Sequence, residues 1–291
     1  MSSPQPTTDP RWLDAAGRPL DEEDRGLVYD VRTLVDRRRV LGLFGGVSAA
    51  ALLAACGGAS SGTTTAASTT TSSSSSGTSG TSGDLTEVPD ETAGPYPGDG
   101  SNGIDVLDDS GIVRQDIRSS FGSSTTTAQG VPLTVRLTVR DASSGDVVSG
   151  AAVYAWHCDA EGNYSLYSSG LENENYLRGV QTVDADGTAT FTTIFPGCYS
   201  GRWPHIHFEV YASAADATGN GPIVKTSQIA LPKEACEAVY ATDGYASSAG
   251  NLGGTSLASD NVFGDDGGIH QLASMTGDAA SGYTAALTVG V

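Results

Sequence analysis

Val131-Pro-Leu-Thr-Val-Arg-Leu-Thr-Val-Arg140 alternates apolar and polar residues along its length. Successive side chains of a β-strand point to opposite faces, so this run reads as a strand with one buried and one wet face. Working outward, Ala152–His157, Thr188–Ile194, His205–Tyr211, Lys225–Leu231 and Tyr283–Val289 read as further strands. Turn signals fall between them: Ser143-Ser-Gly145, Asp184-Ala-Asp-Gly187 and Thr218-Gly-Asn-Gly-Pro222. Short strands at this spacing, with no long helical period, predict an all-β fold, an antiparallel β-sandwich or barrel. Helix is confined to short pieces such as Lys233–Tyr240.

A second stretch carries chemistry: Ile194-Phe-Pro-Gly-Cys-Tyr-Ser-Gly-Arg-Trp-Pro-His-Ile-His-Phe208. His205 and His207 stand two apart, so on a strand both imidazoles face one side and Ile206 faces the other. Tyr199 lies upstream, across a short loop that can fold it back over the same point. The chain has only four histidines. Two of them at strand spacing, beside a Tyr and an Arg, point to a metal site.

The 291 residues carry a formal net charge of -19. Such a surface repels phosphate backbones, which argues against nucleic acid as a partner. The charge runs unevenly with the architecture. Residues 1–56 read as an export signal: Arg37-Arg38-Arg39, then an apolar run from Val40 to Ala55 that is too short to span a bilayer. The arginines resemble a twin-arginine signal, with Asp36 where Ser or Thr is usual. Leu53-Ala-Ala-Cys56-Gly is similar to a bacterial lipobox, which implies a lipid anchor at Cys56; the plainer alternative is a small-residue cleavage site with a chance Cys. Residues 57–86 are rich in Ser, Thr and Gly and read as a flexible linker. Residues 87–291 are the expected sandwich domain. The expected location is exported, on the outer face of the cytoplasmic membrane or secreted. An oxidising compartment predicts one disulfide among Cys158, Cys198 and Cys236, with the pairing open.

The spaced motifs then match a family. Ala155-Trp-His-Cys-Asp-Ala with Gly162-x-Tyr164, Tyr176-Leu-Arg-Gly179, Asp184-x-Asp-Gly187 leading to Phe191, Pro196-Gly-x-Tyr199, and Arg202-x-x-His-Ile-His-Phe208 resemble the intradiol ring-cleavage dioxygenases. The resemblance covers about residues 88–232 and implies a non-haem Fe(III) centre, one per chain, held by two Tyr and two His. Tyr164 and His205 would be the equatorial ligands, Tyr199 and His207 the axial pair. Arg202 would stabilise charge on the ring and Gln228 would lie near the dioxygen side. Trp156 and Tyr96 would line the substrate pocket, with ordinary core packing as the alternative reading of both. Tyr167 is a second candidate ranked below Tyr164 by the Gly-x-Tyr match. His157 reads as structural and His270 as exposed.

Phenolate oxygen suits a hard trivalent ion, whereas zinc is usually held by His, Cys and carboxylates. The implied reaction cleaves catechol-type rings with O2 to cis,cis-muconate-type diacids, with displaced Tyr199 accepting a substrate proton. The competing reading is a non-catalytic exported sandwich that binds aromatics or a surface partner.

Overall fold

The computed structural model describes residues 85–291. The expected export signal (1–56), Cys56 and all but the last two residues of the expected linker (57–86) lie outside the described residues. The described residues form eight strands and three short α-helices: β1 (Pro132–Arg140), β2 (Ala152–Trp156), β3 (Arg178–Thr182), β4 (Thr188–Ile194), β5 (His205–Tyr211), α1 (Ala214–Thr218), β6 (Ile223–Ala230), α2 (Lys233–Tyr240), α3 (Ser248–Gly253), β7 (Ser274–Asp278) and β8 (Gly282–Gly290). No helix among them is long and apolar enough to cross a membrane.

The strands make two four-stranded sheets, ordered β4-β1-β8-β7 and β3-β2-β5-β6. All neighbours are antiparallel except β1 and β8, which run parallel from Leu133 opposite Tyr283 to Arg140 opposite Gly290. The alternation in β1 has the effect its pattern predicts. Leu133, Val135, Leu137 and Val139 enter the core, while Pro132, Thr134, Arg136, Thr138 and Arg140 face outward. The second sheet meets them with Val153 and Ala155 of β2, Ile206, Phe208 and Val210 of β5, and Ile229 of β6. Each such side chain stabilises the fold by about 1.5–3 kcal/mol when fully buried.

β2 and β5 show no alternation, because both faces are covered. Their outer face carries Tyr154, Trp156 and Tyr211, which pack with Val106, Leu107, Ile112, Tyr164, Val180 and Ala217 in a second apolar cluster. This cover is made by the segment before β1 and the long loop between β2 and β3. The segment is tied down at its start. Val88 N–H donates to the Gly290 carbonyl (3.0 Å) and Glu91 N–H to that of Thr226 (2.9 Å). Lys225 Nζ reaches Glu87 (2.5 Å) and Asp90 (3.0 Å).

Two elements escape sequence reading. β3 (Arg-Gly-Val-Gln-Thr) and β7 (Ser-Met-Thr-Gly-Asp) hold one strong strand former or fewer in their centres, and pairing with longer neighbours makes them strands. The expected disulfide is a correction: Cys158, Cys198 and Cys236 are not joined. Each thiol instead sits against a carbonyl: Cys158 against Gly197, Cys198 against Arg202, Cys236 against Leu231. Burial pushes the Cys198 thiol up to about 12.

Candidate metal centre

β5 puts His205 and His207 on the outer face of its sheet, beneath the covering loops, with Ile206 in the core between the sheets. The loop after β2 carries Tyr164, and the loop between β4 and β5 carries Tyr199. Glycines let these loops meet. Gly162 has φ +90°, and a Cβ there would stand 3.0 Å from the Tyr199 Cβ. A Cβ on Gly197 would lie 2.6 Å from the Ala160 carbonyl oxygen, and Gly197 N–H donates to the Asp159 carbonyl at 2.9 Å.

The result is a chain of short separations. Tyr164 Oη is 3.5 Å from Tyr199 Oη. Tyr199 Oη is 3.1 Å from His205 Nε2. His205 Nε2 is 3.1 Å from His207 Nε2. Donors bound about 2.0–2.2 Å from one ion stand roughly 3.0–3.5 Å apart when they are neighbours around it. His205 Nδ1 donates to the Trp203 carbonyl at 2.6 Å, which leaves the Nε2 lone pair facing this point. Burial, reinforced by Arg202, pushes His205 down to about 3, and burial with His205 beside it holds His207 well below the usual imidazole range. Both rings are therefore neutral at physiological pH and available as ligands. Among the described residues no group of three His, Cys, Asp or Glu side chains is placed to hold an ion; the oxygens nearest the two imidazoles are the Tyr164 and Tyr199 hydroxyls. This donor set fits a hard cation.

The remaining candidates fall around the four. Trp156 is fully buried and stacks on His207, ring centroids 4.9 Å apart and planes 7° from parallel. Its ring backs the His207 imidazole. Tyr96 is half-buried and lies over Tyr164 at 4.8 Å and Tyr167 at 5.2 Å. Tyr167 turns away: its Oη accepts from Gly98 N–H (2.8 Å) and donates to Asn102 Oδ1 (3.0 Å). His157 is buried, with Nδ1 at 2.7 Å from the Cys158 carbonyl and Nε2 at 2.7 Å from Thr193 Oγ1, as a structural residue would be. His270 is half-buried, where the sequence predicted exposure, in a surface cavity lined also by Leu272, Ser274 and Leu287.

Arg202 and Gln228 are brought together. Arg202 Nη2 donates to Gln228 Oε1 at 2.6 Å, and Gln228 Nε2 donates to the Thr92 carbonyl at 2.9 Å. Sequence reading missed their third partner, Asp260. Its Oδ2 accepts from Arg202 Nε (3.0 Å) and Trp203 N–H (2.6 Å), and its Oδ1 accepts from Val262 and Phe263 N–H (2.9 and 3.1 Å). Burial is the largest single effect and would raise this carboxyl, but Arg202, the Trp203 N–H and His205 together hold Asp260 below the usual carboxylate range. The only available signal was an acid followed by Asn-Val-Phe, an apolar pair that a surface loop rarely needs.

Comparison with known proteins agrees with the fold. Residues 115–218 match the family model described as Dioxygenase. That span holds Trp156, Tyr164, Tyr199, Arg202, His205 and His207, but neither Tyr96, Gln228 nor Asp260. A 93-residue stretch is 32% identical to chlorocatechol 1,2-dioxygenase of Rhodococcus opacus, covering 25% of this chain and 36% of that protein. The chain thus spans about a third of the length of that curated relative. Among solved structures, the intradiol ring-cleavage dioxygenase from Tetranychus urticae superposes with a TM-score of 0.51 at 24% identity, over 62% of this chain and 87% of that one. The dioxygenase domain of a carbohydrate-binding fusion from Streptomyces sp. SirexAA-E aligns over 71% and 98%, with 23% identity and a TM-score of 0.46. The chain thus shares its β-sandwich fold with the Tetranychus urticae dioxygenase, and its residues 115–218 are similar to the Dioxygenase family.

Proposed function

We propose that this protein is an exported non-haem ferric dioxygenase that cleaves catechol-type rings between their two hydroxyl-bearing carbons, using O2. The observation that carries the reading is the run of separations from Tyr164 through Tyr199 and His205 to His207, none longer than 3.5 Å. Such separations suit four side chains that would hold one ion between them.

Ferric iron bound there would supply Lewis acidity, lowering the pKa of a chelated catechol and opening its ring to O2. The protein's own part is easier to specify. Tyr199 Oη, next to His205 and on a loop, is the base placed to take a catechol hydroxyl proton. Neutral His205 and His207 keep their donor atoms available, since burial prevents their protonation. Arg202, fixed by Asp260 and Gln228, presents a guanidinium that stabilises negative charge as the ring opens. Tyr96 offers an aromatic face for a planar substrate beside Tyr164. The products are cis,cis-muconate-type diacids.

Location follows from the first 56 residues: export through the twin-arginine-like signal, and a lipid anchor at Cys56. Loading the purified full chain with ferric iron should give a red-brown protein with a broad visible band from tyrosinate-to-iron charge transfer. Oxygen uptake with catechol, protocatechuate or hydroxyquinol then tests the reaction. A colourless iron-loaded protein, or no uptake with any of the three, would sink this reading.

A further inference from the structure

Arg178 at the start of β3 is completely buried. Its four hydrogen bonds all end on neutral oxygens: Nε on Ser165 Oγ (3.0 Å), Nη2 on the Ser165 carbonyl (3.0 Å), Nη1 on the Pro97 carbonyl (2.8 Å) and on Tyr154 Oη (3.2 Å). Among the described residues it makes no ion pair. Burying a charge without a counter-charge costs several kcal/mol, so this guanidinium is an expensive way merely to fill space.

Each bond leads to the centre in one or two further steps. Ser165 follows Tyr164, so two bonds fix the backbone beside that phenol. Pro97 follows Tyr96, the ring that lies over Tyr164. Tyr154 stacks on Trp156 (4.9 Å, 21°), and Trp156 stacks on His207 (4.9 Å, 7°). The register adds a fourth tie. Arg178 pairs with Trp156 and Trp156 pairs with His207, so the three stand in one row across β3, β2 and β5.

We propose that Arg178 is a positioning residue of the Tyr164–Tyr199–His205–His207 centre, clamping the Tyr164 loop, the Tyr96 segment and the stack behind His207 with one planar group. The proposal rests on the ferric reading above. Only a guanidinium does this, because its donors fan out in a plane from separate nitrogens; a lysine ammonium offers all its donors from one atom and cannot span three segments.

The test is Arg178→Lys in the full chain, read beside the wild type for fold by circular dichroism, iron retained against a chelator, and the charge-transfer band. The expected result is a folded protein whose iron affinity falls on the order of 10–100-fold, as for other outer-shell partners of metal ligands. Its visible band should also leave the wild-type position. A variant that melts earlier but keeps the wild-type band and iron affinity overturns the proposal, since Arg178 would then serve stability alone. If Arg178→Lys fails to fold, Ser165→Ala and Tyr154→Phe each remove one acceptor and leave the guanidinium in place. Wild-type bands in both overturn it equally. A wild type that takes up no iron instead overturns the ferric reading, and this proposal with it.

Discussion

Trp156 lies flat against His207, their planes 7° apart and their centroids separated by 4.9 Å. The two residues are cross-strand partners on β2 and β5. The His207 imidazole is thus held on one side by an indole and on another by its own strand. Trp156 Nε1 has no hydrogen-bond partner among the described residues, and the ring's contacts on this face are stacking contacts.

Loss of a proposed ligand should be plain to the eye. Tyr164→Phe removes one phenolate and leaves the ring packed against Tyr96. Its iron affinity should fall by more than the roughly 10–100-fold that outer-shell changes cost, and the visible band should be lost or strongly weakened. Unchanged colour and iron content would remove Tyr164 from the ligand set.

Asp260 should matter to Arg202 at a distance in sequence of 58 residues. Asp260→Ala leaves a buried guanidinium without its carboxylate, and breaking a buried pair in this way destabilises by about 3–5 kcal/mol. Urea unfolding of the variant measures this directly. A loss below about 1 kcal/mol would mean that Gln228 alone suffices to hold Arg202.

His157 gives a pH dependence with a definite sign. Burial pushes this imidazole down to about 4 in the folded chain, whereas the unfolded chain titrates near 6.5. Above pH 6.5 neither state is protonated and the full stability is present. As pH falls from 6.5 towards 4 only the unfolded state gains the proton, so stability drops, by roughly 3 kcal/mol from this group. His157→Gln should flatten that part of the profile relative to the wild type. Parallel profiles for the two proteins would show that His157 does not carry the effect.

Glu209 works in the opposite direction. Burial, with Asp99 nearby, raises its carboxyl to about 8, so the folded protein keeps this proton at neutral pH. The unfolded chain has already released it above about 4.5. Stability from this group is therefore greatest below pH 4.5 and is lost as pH climbs towards 8. Glu209→Gln should raise the thermal midpoint more at pH 8.5 than at pH 5. An equal shift at both values would place the ionisation elsewhere.

Much of this arrangement is legible in the chain. The alternation in Val131–Arg140 locates β1 to within one residue, and the His-x-His spacing places both imidazoles on one face. Lys233–Tyr240 is a helix as its composition predicts. What escapes is set by partners far away. β3 and β7 are too short and polar to announce themselves. Asp260 acquires its meaning only when a distant loop folds back on Arg202. Trp156 reads equally well as pocket wall or packing until its stack on His207 is seen. The thiols, too, look like a bridge by compartment logic alone, and the folded chain seats each against a carbonyl instead.

The parallel pairing of β8 with β1 has a consequence for biogenesis. β8 is an interior strand, flanked by β1 on one side and β7 on the other. Its insertion joins residues 133–140 to residues 283–290, a closure between nearly the two ends of the domain. During synthesis the first sheet therefore waits, with β1 open along one edge, until residues 283–290 have been made. Contacts so distant in sequence form slowly, and an unpaired apolar-faced strand invites aggregation in the meantime. Such a domain gains from a shielded interval before it closes.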